Sequence, residues 1–387
     1  MSEESAFPAQ AVDIDRKPPT GFAVLNVHRH RDHEHRPAFG VSGVCGESTL
    51  PFTVTAAQLR PDAIRLGNLR KGGNWPSEIH RIIRTWSRRQ DALRGWIDGL
   101  RARYGAGLRL VIWDDTDYDI PWELLWLEAD AERSLPAGHL GALITVARWT
   151  TVREAGVRPM EHGAECSGPV VGYYDPAMRR DADVFQDFAH QHHDALHSLL
   201  GELTQQELRA GLVYLACHGQ YGTELTDLRL DVASWEEMDE LDMTALRSHA
   251  TLVCLNACHS ARSVHNVAQG EDALRGFAEL FLRQGASGCI ASSGQVGDDI
   301  AHAVIRRIVA EIAADPAKPV AQTLRDFRAR ATAALPTVIP WTSGAGGRPD
   351  EQGQHGVLAF LYSFMFLYFG SPLTTLRLTP RGHEEAS

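Results

Sequence analysis

GLVYLACHGQ at residues 211–220 and TLVCLNACHS at residues 251–260 are short apolar runs that each end at a reactive side chain. The first run stops at His218, which Gly219 follows, and the second stops at Cys258, which follows Asn256 and Ala257. Short, continuous apolar runs are typical of strands that are covered on both faces of a parallel sheet. The two segments therefore predict buried strands that carry a histidine and a cysteine at their carboxyl ends.

A histidine and a cysteine at adjacent strand ends would give a nucleophile its own base. Adjacent parallel strands lie about 4.8 Å apart, so residues at their tips can reach hydrogen-bonding distance. An imidazole can accept the proton of a thiol and later protonate a leaving amine. Gly219 has no Cβ, so its N–H can approach a substrate closely and, with the N–H of Cys258, form an oxyanion hole. The alternative is that both are ordinary core residues, in a chain with 18 histidines.

Around these runs the sequence alternates between predicted strands and predicted helices. Further strands are predicted at 108–114, 142–149, 168–174 and 287–293, and helices at 181–202, 272–285, 298–314 and 321–334. An amphipathic stripe predicts one long helix over 77–104. The pattern predicts an α/β fold with a mostly parallel sheet flanked by helices on both faces, preceded by an N-terminal α+β extension.

The composition excludes several classes of partner. Acidic residues outnumber Lys and Arg by 49 to 38, giving a formal net charge of −11, which argues against nucleic acid or an anionic membrane as the main partner. The longest apolar run, VLAFLYSFMFLYF at 357–369, is too short to span a bilayer. The N-terminus lacks a secretory apolar region, and the six cysteines are dispersed, so we expect reduced thiols and a cytoplasmic location.

Five segments in this order resemble the caspase-fold (clan CD) cysteine peptidases, and most closely the CHAT family. They are IPWELLW at 120–126, GPVVGYYDP at 168–176, VYLACHG at 213–219, LVCLNACHSAR at 252–262, and GEDALRGFAELFLRQGASGCIASSGQVGDD at 270–299. The likeness covers roughly residues 105–375. It implies a caspase-like sheet, with His218 as general base and acid and Cys258 as the nucleophile that forms a thioester acyl-enzyme. A dyad suffices in that fold, and no cofactor is implied.

The resemblance leaves the pocket for the substrate residue before the cleaved bond, P1, open. In the wider fold the residue two before the nucleophile lines this pocket; here it is Asn256. The loop SSGQVGDD adds Ser292, Ser293, Asp298 and Asp299, at a place where related enzymes hold an acid facing a basic P1 residue. The alternative is that the two aspartates cap the following helix. We interpret His259 as a loop neighbour rather than a second base.

Several departures from the common CHAT pattern concern regulation and specificity. The loop at 292–299 lacks a tryptophan, the ending LAFLYSFMFLYFG replaces the usual motif, and no TPR repeats are present. A regulatory module would then come from another protein in trans or from the N-terminal part. We predict an N-terminal extension over 1–104 and a peptidase domain over 105–387, with a degenerate half at 105–165 and a catalytic core at 166–380.

Two histidine-rich segments invite a metal-site interpretation. VHRHRDHEHR at 27–36 has no recognisable zinc motif and is typical of a solvated turn. HQHHDALH at 190–197 lies on a predicted helix, where His193 and His197 share a face without a third ligand. A metal-dependent hydrolase built on the first segment remains an alternative, but we expect no metal site.

The sequence thus predicts a cysteine endopeptidase that cleaves a specific partner protein. The family resemblance suggests a bacterial defence or cell-death pathway, with an effector such as a bacterial gasdermin as substrate. The polar segment RSVHNVAQGED at 262–272 is predicted to be a mobile loop that gates the site. The competing interpretation is a catalytically silent, caspase-like scaffold that binds a partner protein and never cuts it.

Overall fold

The computed structural model describes residues 18–56, 76–150, 162–266, 273–295, 297–336, 338–339 and 351–382. The chain forms two compact units. The first unit contains Arg148–Thr323 and Leu367–Ser387, and the second contains Lys17–Ala147 and Leu324–Phe366. His218 and Cys258 both belong to the first unit.

The strands of the described residues are β1 (Phe22–Arg31), β2 (Pro37–Cys45), β3 (Ser48–Ala56), β4 (Arg109–Asp115), β5 (Trp126–Leu127), β6 (Gly138–His139), β7 (Thr145–Trp149), β8 (Glu165–Gly168), β9 (Val170–Tyr174), β10 (His190–His193), β11 (Leu212–Ala216), β12 (Gly219–Gln220), β13 (Arg229–Leu230), β14 (Ala233–Ser234), β15 (Leu252–Asn256), β16 (Ser263–Asn266), β17 (Ala273–Gly276), β18 (Gly288–Ser292), β19 (Phe366–Gly370) and β20 (Thr375–Leu378). The α-helices are α1 (Pro76–Arg88), α2 (Asp91–Tyr104), α3 (Leu140–Leu143), α4 (Leu196–Leu203), α5 (Trp235–Asp239), α6 (Thr244–Ser248), α7 (Phe277–Arg283), α8 (Asp298–Ala314), α9 (Val320–Ala333) and α10 (Glu351–Ser363). Short 3₁₀ helices lie at Gly105–Gly107, Trp122–Leu124, Pro176–Phe185 and Leu225–Asp227.

The first unit is built on a sheet with the strand order β10-β9-β11-β15-β18-β19. The pairs from β10 to β18 are all parallel. The central strands β11, β15 and β18 read LVYLA, LVCLN and GCIAS and are buried at every position. Such strands can be this apolar because helices cover both of their faces.

Alternate residues of the central strands pack against different helices. One face forms the main core with the leucines of α4 and the aromatic side chains of α7; its strand residues include Val213, Leu215, Val253 and Leu255. The other face packs against the apolar stripe of α8; its strand residues include Leu212, Tyr214, Leu252 and Cys254. Residues one apart point to opposite faces of a strand, so both faces of each central strand are covered.

The second unit holds a mixed sheet with the strand order β7-β4-β1-β2-β3. Strand β1 is parallel to β4 and antiparallel to β2, and β2 is antiparallel to β3. Its core joins the buried face of these strands to Trp86, Leu93, Trp96 and Ile97 of α1 and α2. The predicted N-terminal α+β extension therefore exists as strands and helices that precede the caspase-like core.

The structure corrects four details of the sequence interpretation. The segment 77–104 is two helices, because Ser87 Oγ bonds the carbonyl of Ile83 and the N–H of Trp126, and Gln90 leaves helical geometry. The segment 181–202 contains the end of a 3₁₀ helix, β10 and most of α4 rather than one helix. The segment 142–149 begins in α3, and 272–285 begins in β17. In each case the apolar stripe continues across the break, so periodicity could not locate it.

The fold class is the predicted one: α/β, with a mostly parallel sheet flanked by helices and preceded by N-terminal strands. The boundaries at 104 and 165 stay predictions, as the compact units divide the chain at 147 and add residues 324–366 to the second unit. No helix in the described ranges combines the length and the apolar character needed to cross a membrane.

Candidate active site

Strands β11 and β15 bring His218 and Cys258 to the same edge of the first unit's sheet. The two strands pair in parallel, and the last register pair is Ala216 with Asn256. His218 and Cys258 each lie two residues beyond this pair, at the carboxyl ends of adjacent strands. The ladder extends one step further, because the N–H of Cys217 bonds the carbonyl of Asn256 at 3.4 Å. His218 is exposed and Cys258 is half-buried, so both side chains are open to a substrate.

Gly219 packs directly on the backbone of Cys258. A Cβ at position 219 would lie 3.0 Å from the backbone N and C of Cys258, and closer still to its carbonyl oxygen. Gly219 pairs with Leu230, and the N–H of Asp231 donates to the carbonyl of His218 at 2.7 Å. Gly219 and Leu230 are therefore a non-hydrogen-bonded pair, and the N–H of Gly219 points away from β13. This direction leaves that N–H available as an oxyanion donor.

The backbone of His218 is held by a short hairpin, β13–β14. Asp231, which donates to the His218 carbonyl, has a left-handed φ of 52° and follows β13 directly. Tyr173, at the carboxyl end of β9, donates its hydroxyl to the Asp231 carboxylate at 2.7 Å. Burial and the charge of Asp231 raise the pKa of Tyr173 well above its usual range, so the hydroxyl remains a donor. Asp231 and Tyr173 thus fix the position of His218 relative to the sheet.

The residues after Cys258 form a tightly bonded turn. His259 has a left-handed φ of 61°, and its N–H donates to the carbonyl of Gly294 at 3.1 Å. Ser260 is buried; its hydroxyl donates to the Leu255 carbonyl and accepts from the N–H of Ser292. Burial, with the nearby charge of Arg262, lowers the pKa of His259 to about 4. A half-buried imidazole of this basicity is a poor proton acceptor near neutral pH, which agrees with the interpretation of His259 as a loop neighbour.

Cys258 is chemically distinct from the other five thiols. All six cysteines are free, and only Cys258 is not buried. Burial raises the pKa of Cys166 to about 12, and it raises those of Cys217, Cys254 and Cys289 further. Those four groups remain thiols at neutral pH, and a thiol is a weak nucleophile compared with a thiolate. Reactivity is therefore expected at Cys258 alone.

A cavity of about 130 Å³ lies beside Cys258. It is lined by Ala177, Met178, Arg180, Asp181, Cys217, Asn256, Ala257, Cys258, Asp299, Ala301 and His302. The lining comes from the 3₁₀ helix Pro176–Phe185, the ends of β11 and β15, and the start of α8. These elements belong to the first unit, and the nucleophile forms one wall.

The structure places the predicted P1-pocket residues in different environments. Asn256 and Asp299 line the cavity, but the amide of Asn256 is engaged with Asp181 and Tyr214. Asp299 is exposed at the start of α8 and pairs with Arg180 at 3.1 Å. The N-cap of α8 is Gly297, without a side-chain cap bond, so Asp299 does not cap the helix. The side chain of Asp298 lies outside the described part of the chain.

The two predicted serines are turned towards their own loop. The hydroxyl of Ser292 is buried and bonds the backbone of Gly294, donating to its carbonyl at 2.9 Å. Ser293 is half-buried, and its hydroxyl has no hydrogen-bond partner in the described residues. Among those residues, neither serine belongs to the cavity lining.

Sequence reasoning missed the buried cluster at the floor of the cavity. Asp181 accepts hydrogen bonds from Asn256, Tyr214 and His302, and all four side chains are at least nine-tenths buried. These residues lie 33 to 121 positions from Asp181 in the chain. The one available signal was a tyrosine and an asparagine inside strands that are otherwise apolar, because a buried polar group needs a partner.

The segment 262–272 forms one arm of a hairpin where it is described. Strand β16 pairs with β17 in an antiparallel ladder, and residues 267–272 lie outside the described residues. Tyr221 anchors the base of the hairpin, donating to the Ser263 carbonyl at 3.0 Å and stacking under the Arg262 guanidinium at 3.7 Å. The predicted gating role stays a prediction.

The histidine-rich segments lie on strands. Residues 28–36 form the end of β1 and the turn into β2, and residues 190–193 form β10 rather than part of a helix. In the part of the chain that the structure covers, no three His, Cys, Asp or Glu side chains come together as a metal site would require.

This geometry defines the class of the protein: a caspase-like fold with histidine and cysteine at neighbouring strand ends. Residues 178–338 match the family model for the CHAT domain. The chain therefore contains a CHAT domain, as its sequence motifs indicated. No curated protein matches the chain in sequence.

Solved structures of cysteine peptidases share the fold. A chain of the Saccharomyces cerevisiae separase–securin complex matches with a TM-score of 0.51 and 9% identity, over 91% of this chain and 30% of that chain. The chain thus spans less than a third of that relative, and such low identity speaks to the fold alone. Porphyromonas gingivalis gingipain R, in a complex of its pro- and mature domains, matches with a TM-score of 0.44 and 11% identity, over 75% of this chain and 70% of that chain. A score this low supports no further argument.

Proposed function

We propose that this protein is a cysteine endopeptidase in which Cys258 is the nucleophile and His218 the general base and acid. The observation that carries the proposal is the in-register pairing of β11 with β15, which sets His218 and Cys258 two residues beyond the Ala216–Asn256 pair. The caspase-like fold and the CHAT match agree with a protease. A catalytic dyad needs both groups at one edge of a sheet, and parallel pairing supplies that arrangement.

The proposed reaction uses only groups of the chain and water. His218 takes the proton of the Cys258 thiol as the sulfur attacks the carbonyl carbon of the substrate peptide. The N–H groups of Gly219 and Cys258 stabilise the negative charge that develops on the carbonyl oxygen. His218 then protonates the leaving amine, and the C–N bond breaks to leave a thioester. Water, deprotonated by His218, attacks the thioester, and the sulfur leaves as the carboxylic acid product forms.

We further propose a protein substrate in a reducing, cytoplasmic setting. The six unpaired thiols suit such a compartment. The net charge of −11 argues against nucleic acid and anionic membranes as partners. The CHAT resemblance suggests a role in bacterial defence or cell death, with an effector such as a bacterial gasdermin as substrate. A regulatory protein acting in trans would replace the TPR repeats that this chain lacks.

The second candidate is a silent scaffold that binds a partner and never cuts it. Two features count against it. His218 is exposed next to a thiol that is not buried, and Gly219 approaches Cys258 so closely that a side chain would not fit. A scaffold gains nothing from a donor-lined gap beside a reactive thiol.

Selective alkylation separates the two candidates. Iodoacetamide at neutral pH should add one group per chain, at Cys258, as read by intact and peptide mass spectrometry. The rate should fall by at least about tenfold in His218→Ala, because the imidazole no longer takes the thiol proton. His197→Ala is the matched control, since His197 is an exposed histidine on α4. Labelling that spreads over all six thiols, or that ignores His218, would refute the peptidase.

Cleavage itself is tested in cells. Proteomes from cells that carry the wild type should contain cleavage products that are missing with Cys258→Ala. Identical product profiles under activating conditions, together with specific capture of an uncut partner by both forms, would instead support the scaffold.

A further inference from the structure

The floor of the cavity beside Cys258 is a buried carboxylate with three donors. Asp181 is 4% exposed. One carboxylate oxygen accepts from Asn256 Nδ2 at 2.6 Å and from the Tyr214 hydroxyl at 2.7 Å. The other oxygen is 2.8 Å from Nδ1 of His302. Three different elements, β11, β15 and α8, therefore converge on one anion.

Two of the three donors to Asp181 are neutral. Asn256 carries no charge, and burial together with the charge of Asp181 raises the pKa of Tyr214 far above its usual range. The same charge, with burial, keeps Cys254 a thiol by raising its pKa. Arg180 and Asp299 pair with each other at the rim of the cavity, where both side chains are more than half exposed. The cavity floor thus holds a negative charge that only His302 could balance.

His302 is the member of the cluster that presents a polar atom to a ligand. A carboxylate only accepts hydrogen bonds, so Nδ1 of His302 carries the hydrogen of its bond to Asp181. In the neutral imidazole the other nitrogen, Nε2, is then an acceptor. Among the described residues the Asp181 bond is the only hydrogen bond of this ring. His302 also lines the cavity, so Nε2 is available to whatever enters it.

The cavity therefore suits a side chain that donates an N–H and carries a positive charge. Its volume of about 130 Å³ is close to that of engineered cavities of about 150 Å³ that hold one benzene-sized group, so it takes a single side chain. A cation would gain a bond to Nε2 and the field of the buried carboxylate. A carboxylate would meet a lone pair and a like charge, and would lose its own water.

We propose that the Asp181–His302 pair recognises arginine or lysine at the substrate residue before the bond that Cys258 attacks, with His302 as the specificity-determining residue. The proposal rests on the proposed function, because it takes Cys258 as the nucleophile. It moves the recognition of charge from the exposed loop aspartates to a buried pair on the opposite wall. Asn256 then acts as a positioning residue that orients the Asp181 carboxylate.

Peptidyl chloromethyl ketones test the proposal without knowledge of the natural substrate. Their thiolate reaction displaces chloride and joins the methylene carbon to Cys258, so intact mass spectrometry gives the rate. Three probes that differ only at P1 are compared: arginine, its uncharged near-isostere citrulline, and glutamate. The wild type should react about 10- to 100-fold faster with arginine than with citrulline, and slowest with glutamate.

Two variants assign the preference to the pair. Asp181→Asn should bring the arginine-to-citrulline ratio close to one, because the charge is lost. His302→Asn retains a donor towards Asp181 but lacks Nε2, and should lower the arginine rate about tenfold while citrulline changes less. Asp299→Asn is the matched control at the rim and should change the ratio less than about threefold, since solvent screens an exposed charge. A merely structural pair would slow all three probes equally.

Each outcome bears on one proposal or the other. Equal rates for arginine and citrulline in the wild type overturn the specificity proposal and leave the peptidase standing. A ratio that collapses in Asp299→Asn but survives in His302→Asn also overturns it. If no probe reacts with Cys258, and iodoacetamide labelling is independent of His218, then the peptidase fails and the specificity proposal falls with it. Should Asp181→Asn not fold, the comparison of His302→Asn with Asp299→Asn still decides.

Discussion

Replacing Gly219 by alanine is the most direct probe of the active-site geometry. The added Cβ would lie 3.0 Å from the backbone N and C of Cys258 and nearer to its carbonyl oxygen, whereas ordinary contacts begin near 3.4 Å. All three atoms are backbone, so no flexible side chain can move aside. The two strand tips must separate by a distance on the order of 1 Å, which displaces both proposed oxyanion donors from a reacting carbonyl.

The magnitudes follow from this displacement. A misplacement of about 1 Å costs about 100-fold in rate, and the loss of one oxyanion donor costs about 100- to 1,000-fold. We therefore expect the rate of Cys258 alkylation by a peptidyl chloromethyl ketone to fall at least about 100-fold. Iodoacetamide has no peptide carbonyl to place in the oxyanion hole, so its rate should fall much less. Overpacking should also lower the free energy of unfolding by about 1–3 kcal/mol.

Gly201→Ala is the matched control for this substitution. Gly201 lies within α4, and a Cβ there would meet nothing within 4 Å. The control should keep wild-type alkylation rates and gain about 0.5–1 kcal/mol, because alanine favours a helix over glycine. Urea unfolding measures both stabilities. The reasoning is refuted if Gly219→Ala keeps the wild-type unfolding midpoint and reacts with both reagents at rates within threefold of the wild type.

Two further predictions concern pH and the support of His218. In the second unit, burial lowers the pKa of His139 to about 3 and that of His80 to about 4, from an ordinary value near 6.5. Below pH 6.5 only the unfolded imidazoles take up protons, so the free energy of unfolding should fall by up to about 1.4 kcal/mol per pH unit for each, and should not change through them above pH 6.5; urea titrations in which His139→Phe shows the same acid slope as the wild type would contradict this. Tyr173→Phe removes the 2.7 Å bond to Asp231. It should lower kcat several-fold with KM unchanged and cost about 1 kcal/mol of stability, whereas a rise in KM alone would mean that Tyr173 does not support His218.

The order of secondary structure along the active strands could be predicted from the sequence alone. LVYLA and LVCLN are apolar at nearly every position, and only a strand covered on both faces needs such a run. The helix 298–314 was also predicted with its observed bounds, since acidic residues open it and its apolar stripe is unbroken. Predictions failed where an apolar stripe crosses a chain break, as at Arg89 and Gln90 between α1 and α2. Periodicity records which residues are buried and cannot show that the chain has turned between them.

The sequence determined which residues could do chemistry, because His218, Gly219 and Cys258 follow apolar runs whose carboxyl ends must share one edge of a parallel sheet. It did not determine what surrounds them. Asp181 meets Tyr214, Asn256 and His302 across 33, 75 and 121 residues of chain, from elements with no common pattern. Local propensity acts over a few neighbouring residues, whereas a buried carboxylate is satisfied by whichever donors packing brings to it. Only the tertiary structure could therefore place a charged floor under the nucleophile.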